Sequence, residues 1–211
     1  MEPFVLVNLN PIPVSVPEQA VLTRLGGNRH RTAVTPEDMA RYRRWMQEAR
    51  SVMSPRGRYA VVPIRSNDGT AALVQDAWRL ESAALCKLLR GASHLWVGAI
   101  TVGKELTELV ESCGDDLTRA VVFDAAGSEC ADSAMDFLQQ QAARTLLRQG
   151  KILGSRRFSP GYGGWKLENQ KEIFGRLRLA ELGMTYTATY IMQPEKSVTA
   201  VAPVFPSDAV Q

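Results

Sequence analysis

The chain has 211 residues, 45% of them apolar and 22% charged, with a net charge of +3. This is the composition of a globular protein with a real core, and the near-balanced charge argues against a dedicated nucleic-acid binder, even though Arg41, Arg43 and Arg44 form a basic cluster. Three cysteines (Cys86, Cys113, Cys130) without CxxC spacing, and two scattered histidines, argue against a disulfide framework and an obvious metal site. They fit reduced thiols in a cytoplasmic protein. The opening MEPFVLVNLNPIPV lacks a basic start followed by a long apolar run, and no stretch of about 18 apolar residues occurs, so neither a secretory signal nor a membrane span is expected.

Taken in chain order, FVLV reads as an extended strand broken by prolines, suited to an edge or a docked arm. A short helix is predicted from about Pro17 to Leu25, stopped by Gly26 and Gly27, and GNRHRTAV reads as a loop. TPEDMARYRRWMQEARSVM is a well-signed helix: Thr35 can cap it, Pro36 suits the first turn, and Asp38 sits at the capping-box position. Met39, Tyr42, Met46, Ala49 and Met53 give it one apolar face, most simply a packing face. RYAVVPIR–NDG–TAALVQ reads as a β-hairpin, because Asp-Gly supplies the positive φ of a tight turn.

A helix is predicted around Leu80 to Leu89, then a buried strand HLWVGAITV, then the helix KELTELVESC. From Asp115 to about Arg148 no proline occurs, and helical spacing predicts one long helix or two nearly collinear ones. LENQKEIFGRLRLAEL reads as a helix closed by Gly183, and TYTATYIM and SVTAVAPVF as a final hairpin joined by QPEK. Helices and hairpins mix without βαβ alternation, so the expected class is α+β with an antiparallel sheet.

Side-chain catalysis has little support. GxSxG, HExxH and GxxxxGK are all absent, and neither histidine has a reason to lie near Cys130. A role in a reaction would come from holding a reactive cofactor. Two stretches stand out. In DAAGSECAD, Asp124, Ser128 and Asp132 fall at i, i+4 and i+8 on one helix face, and Gly127 breaks the helix preference. That face reads equally as close packing with a solvated acidic edge or as a ligand face. In RRFSPGYGGW, a guanidinium stands beside a Pro-Gly turn and Tyr162. Arg157 could be a structural arginine in a surface turn. It could also grip a carboxylate in bidentate fashion, with Asp132 taking the ammonium at the other end of an amino-acid-like ligand.

Several segments together resemble the activation domain of cobalamin-dependent methionine synthase, in its short stand-alone form. Arg157-Phe-Ser-Pro-Gly-Tyr162 is similar to that family's Arg-x-Ala/Ser-Pro-Gly-Tyr motif, and Met192, Pro194, Ser197 and Val198 to its Met-x-Pro-x-x-Ser-Val hairpin. VFDAAGSECADSAMDFL resembles its long helix, and GRYAVVPI and VLTRLGG resemble its amino-terminal parts. The likeness is strongest from about Ala120 to Val201. It implies a twisted antiparallel sheet with flanking helices, one of them long. It also implies a single domain over 1–211, with 1–57 as arm and helices and 58–211 as core.

The resemblance further implies S-adenosylmethionine as ligand, beside a cobalamin carried by a corrinoid-binding methyltransferase subunit or domain, with an outside electron-donor protein. Nucleic acid and membrane are not expected partners. By the same resemblance Arg157 would bind the donor's carboxylate. Backbone at Ser159 and Gly161 would contact the donor, and Tyr162 would lie by the donor and the corrin face. Asp132, or Glu129 in its place, would meet the donor's positive end. The chain departs from the family where Gly164 stands in place of a usual acid and where KILGSRR carries no acid ahead of the arginine. A non-catalytic module of the same fold, docking on a corrinoid protein without using the donor, is the alternative.

Overall fold

The computed structural model describes residues 5–26 and 35–207. The loop expected over GNRHRTAV lies outside the described residues. Strand β1 covers Val7–Leu9, so of the expected FVLV strand only Val7 belongs to it, Phe4 lying outside the described residues; it docks on the sheet, pairing antiparallel with β2 (Arg56–Asn67) through Val7 opposite Tyr59. Helix α1 (Glu18–Arg24) ends at Gly26, which takes the positive φ expected of a helix stop. Helix α2 (Pro36–Val52) starts as its sequence dictates, with the Thr35 hydroxyl accepting from the Asp38 amide, and it buries Met46 and Ala49.

Seven strands form one antiparallel sheet in the order β4 (Arg79–Glu81), β3 (Ala71–Val74), β2, β5 (His94–Thr101), β9 (Ser197–Pro206), β6 (Lys151–Leu153), with β1 added on β2. Strand β2 shares its outer edge between β1 on its first half and β3 on its second, while β5 runs along its other side. Strand β9 lies between β5 and β6. The three central strands are covered on both faces. Trp96, Ile100, Ala200 and Ala202 point to one core, roofed by the long helix; Leu95, Val97, Ala99 and Val201 point to a second, on the other face. That long helix, α5 (Leu117–Leu147), is 31 residues without a break, capped at its start by Asp116 accepting from the Arg119 amide. Helices α1, α2 and α4 (Glu105–Glu111) pack along it.

Three expectations are corrected. Leu80 belongs to a short strand, β4 (Arg79–Glu81), because pairing with Ala72 buries it completely; Ser82 then caps α3 (Ala83–Leu88). The stretch after Leu167 is not one helix: α6 (Gln170–Leu177) breaks at Arg178, whose φ is 49°. The buried Arg58 guanidinium donates to the carbonyls of Leu177 and Arg178 and to the carboxylate of Glu181, and Arg56 donates to the backbone carbonyl of Leu182, so these two arginines of β2 hold the chain after α6 in a new direction. The final hairpin is the third. Thr185–Tyr186 (β7) and Met192–Gln193 (β8) pair only with each other, and β9 instead becomes a central strand of the main sheet. Strand β6 had no local signal, since KIL is too short to show a period.

Candidate functional site

After β6, the chain continues along the edge of β9 without regular pairing. The Gly154 amide donates to Pro203 O at 2.8 Å, and Phe158 exchanges two backbone bonds with Val201, of 2.9 and 2.8 Å. Between these anchors the chain bows outward and turns Arg157 toward α5. Gly154 is required there, because a Cβ would stand 2.8 Å from Pro203 Cγ. The side chain of Gln139 on α5 fixes the bow from the helix side, donating to Gly154 O at 2.7 Å and accepting from Arg157 Nη1 at 2.9 Å. The same Nη1 is 2.6 Å from Asp136 Oδ1. Arg157 is therefore an aimed guanidinium, 26% exposed, rather than a loose surface arginine.

The following turn is a compact cradle. Ser159 Oγ donates to Thr199 O at 2.8 Å, the Gly161 amide to Trp165 O at 2.7 Å, and the Trp165 amide to Tyr162 O at 2.8 Å. Gly161, Gly163 and Gly164 all have positive φ. Trp165 is fully buried beneath the turn with Phe158 against it, at 6.4 Å between ring centroids, while Tyr162 stands 71% exposed at the tip. Ser82 Oγ clamps the far side by donating to Gly163 O at 2.7 Å.

Along its length α5 carries Asp124, Glu129, Asp132 and Asp136, of which Asp136 touches this segment. Each has a cation from elsewhere in the chain: Lys196 on Asp124 at 2.5 Å, Arg24 of α1 on Glu129 at 2.6 Å and on Asp132 at 3.4 Å, and Arg157 on Asp136. The edge thus holds four carboxylates against three cations, one negative charge in excess. Asp132, whose side chain stays 56% exposed, is nonetheless raised above the usual value: partial burial of the carboxyl is the main cause, the neighbouring Glu129 adds to it, and Arg24 and then Arg157 pull it back in part. Arg157 and Asp132, the two ends of the grip expected from the sequence, face the same edge but do not touch; Asp136, one turn along, holds the arginine, and Arg24 holds the aspartate. A cleft of about 380 Å³ opens further along α5, lined by Asp136, Gln139 and Ala143 of the helix and by Leu153, Gly154 and Ser155, with neither Arg157 nor Asp132 in its wall.

The arrangement fits a zwitterionic, cation-bearing ligand by charge. It has a net negative edge for an ammonium or sulfonium, a partly exposed guanidinium for a carboxylate, and exposed backbone at Gly161 and Tyr162. Among the described residues no group of histidines, cysteines and acids is arranged to hold a metal, and no helix is long and apolar enough to cross a membrane. Asp136, Gln139, Arg24 and Lys196 were not anticipated from the sequence. Asp136 continues the four-residue spacing of Asp124 and Asp132 and could have been read from it; Arg24, 105 residues from Glu129, could not.

A curled antiparallel sheet roofed by one long helix is the fold of the MetH reactivation domain. The chain matches the crystal structure of the MetH reactivation domain bound to AdoHcy with a TM-score of 0.67, over 96% of this chain and 79% of that one, at 14% identity. Neither protein-family models nor curated proteins show a match to the sequence.

Proposed function

We propose that this chain is a cytoplasmic reactivation subunit that binds S-adenosylmethionine and presents its methyl group to a cobalamin carried by a partner methyltransferase, methionine synthase in the first instance. The observation carrying the reading is the Arg157 guanidinium, aimed by Gln139 at the acid row of α5, in a fold whose solved relative holds AdoHcy. The corrinoid of the partner, reduced by an outside electron donor, would supply the nucleophile. This chain then needs no general base, only positioning. Arg157 would take the donor's carboxylate, Asp132 or Glu129 its ammonium, and the Ser159–Gly161 backbone its remaining polar atoms. Tyr162, exposed at the tip of the turn, would stand at the contact with the corrin.

Titration of the isolated chain with S-adenosylmethionine tests the first half. Saturable heat is expected, weakened by about 1.5–3 kcal/mol in Arg157→Ala, the range for a charge-assisted hydrogen bond. Transfer of a labelled methyl group to a Co(II) corrinoid protein in the presence of a reductant tests the second. Absence of any heat at millimolar donor would overturn the reading. One observation favours a non-catalytic docking module instead: Arg157, Glu129 and Asp132 are each satisfied by partners within the chain. Such a module would capture a corrinoid protein with the same affinity in the parent and in Arg157→Ala.

A further inference from the structure

The carboxyl-terminal half of α5 does not close fully on the sheet. Between its last turns and strands β1 and β2 lies a cleft of about 350 Å³. Val7, Val61, Ala142 and Leu146 give it apolar walls, with the Tyr59 ring set among them. Its rim is polar, formed by Thr145, Lys151 and His94. The volume accepts about a dozen water-sized groups at roughly 30 Å³ each and lies at the lower end of small-ligand sites.

The rim has a defined hydrogen-bond order. Lys151 Nζ lies 3.1 Å from His94 Nε2, and an ammonium can only donate, so Nε2 accepts. The ring's proton is then on Nδ1, which lies 2.8 Å from Ser93 Oγ, and Ser93 in turn donates to Val204 O. Two of the three ammonium donors of Lys151 remain, and among the described residues no carboxylate lies within ion-pair reach of it. A half-buried cation beside an apolar cleft, with its imidazole neighbour fixed as an acceptor, is complementary to an anion with an apolar tail. A neutral apolar ligand would leave it unanswered, and a phosphate would bring more charge than a single ammonium balances.

We propose that this cleft is a second binding site, separate from the Arg157 edge, for an apolar monocarboxylate of about eight to ten carbons, with Lys151 as its anion anchor. The tail lies between Val61 and Leu146, and the carboxylate accepts from Lys151 Nζ, beside a Thr145 hydroxyl that already donates to Gln141 O. The site does not depend on S-adenosylmethionine binding.

The test uses the full chain, sodium octanoate and 1-octanol as probes, and amide NMR with calorimetry as readouts. Octanoate is expected to bind saturably and to shift the amides around Ala142–Leu146 and Tyr59–Val61. Lys151→Met should weaken octanoate by about ten-fold or more, while leaving octanol binding unchanged. Thr145→Trp, introduced at an exposed position, should lay a ring over the mouth and block both probes without unfolding the protein. No saturable binding, amide shifts elsewhere, or equal octanoate affinity in the parent and Lys151→Met would each overturn the proposal.

Discussion

At Asp132 a carboxylate is held near Glu129 on one side and only partly balanced by Arg24 on the other. Because its carboxyl titrates above the unfolded value, the folded chain binds a proton there that the unfolded chain has already released, and stability falls as pH rises through that interval. Asp132→Asn should therefore be at least as stable as the parent near neutral pH in urea titrations. The advantage should vanish once pH drops below the ordinary carboxylate range, where both states are protonated. The same residue gives donor binding a pH dependence under the proposed function: a cationic ligand is favoured by the ionised form, so affinity should rise as pH climbs through the elevated titration and flatten in Asp132→Asn. Arg24 competes for the same carboxylates. Arg24→Ala should tighten S-adenosylmethionine by about 0.2–1 kcal/mol, the worth of a half-exposed ion pair, read by calorimetry. Arg157 and Asp132 were legible in the sequence because each sits in a local pattern, a turn motif and a helical spacing. Arg24 was not, because only the packing of α1 against α5 brings it to Glu129.

Helix α5 carries a glycine where helix propensity would favour alanine by about 1 kcal/mol. Gly127 is buried, and a Cβ there would stand 2.1 Å from Leu106 Cδ2 and 3.1 Å from Lys196 Cγ. Leu106 is itself fully buried on α4, so its side chain has nowhere to retreat. Overpacking of this kind costs about 1–3 kcal/mol. The clash outweighs the propensity gain, and Gly127→Ala should be net destabilised in chemical denaturation; a stabilised variant would show that α4 can slide away. The glycine that looked anomalous as helix chemistry is thus explained by the approach of α4 and Lys196, not by a ligand. Length made α5 readable, since thirty-one residues give many turns of consistent spacing. Strands β4 and β6, three residues each, carry no period, and β9 reads almost continuously apolar because both its faces are covered, so its partners could not be inferred from alternation.

The two cores share the sheet between them, and this sets how the whole molecule should come apart. Residues of β2, β5 and β9 point alternately to each side: Tyr59, Trp96 and Ala202 toward α5, Ala60, Val97 and Val201 toward α6 and the Trp165 turn. Unfolding either layer would expose one face of strands whose other face is still packed, an intermediate with a large apolar surface in water and no compensation in chain entropy from the sheet. Loss of both layers together is therefore favoured. Tryptophans report on each side, Trp45 and Trp96 in the α5 core and Trp78 and Trp165 in the other. With fluorotryptophan incorporated, all four resonances should disappear at one urea midpoint, coincident with far-ultraviolet circular dichroism. Trp165→Phe keeps an aromatic but leaves a gap under the Ser159–Tyr162 turn. Its destabilisation should lower the midpoint of Trp45 and Trp96, on the opposite face of the sheet, as much as that of Trp78. Separate midpoints, or a shift confined to Trp78, would mean that the layer supporting the Arg157 turn melts by itself, and the aiming of Arg157 at α5 would then be lost before the fold is.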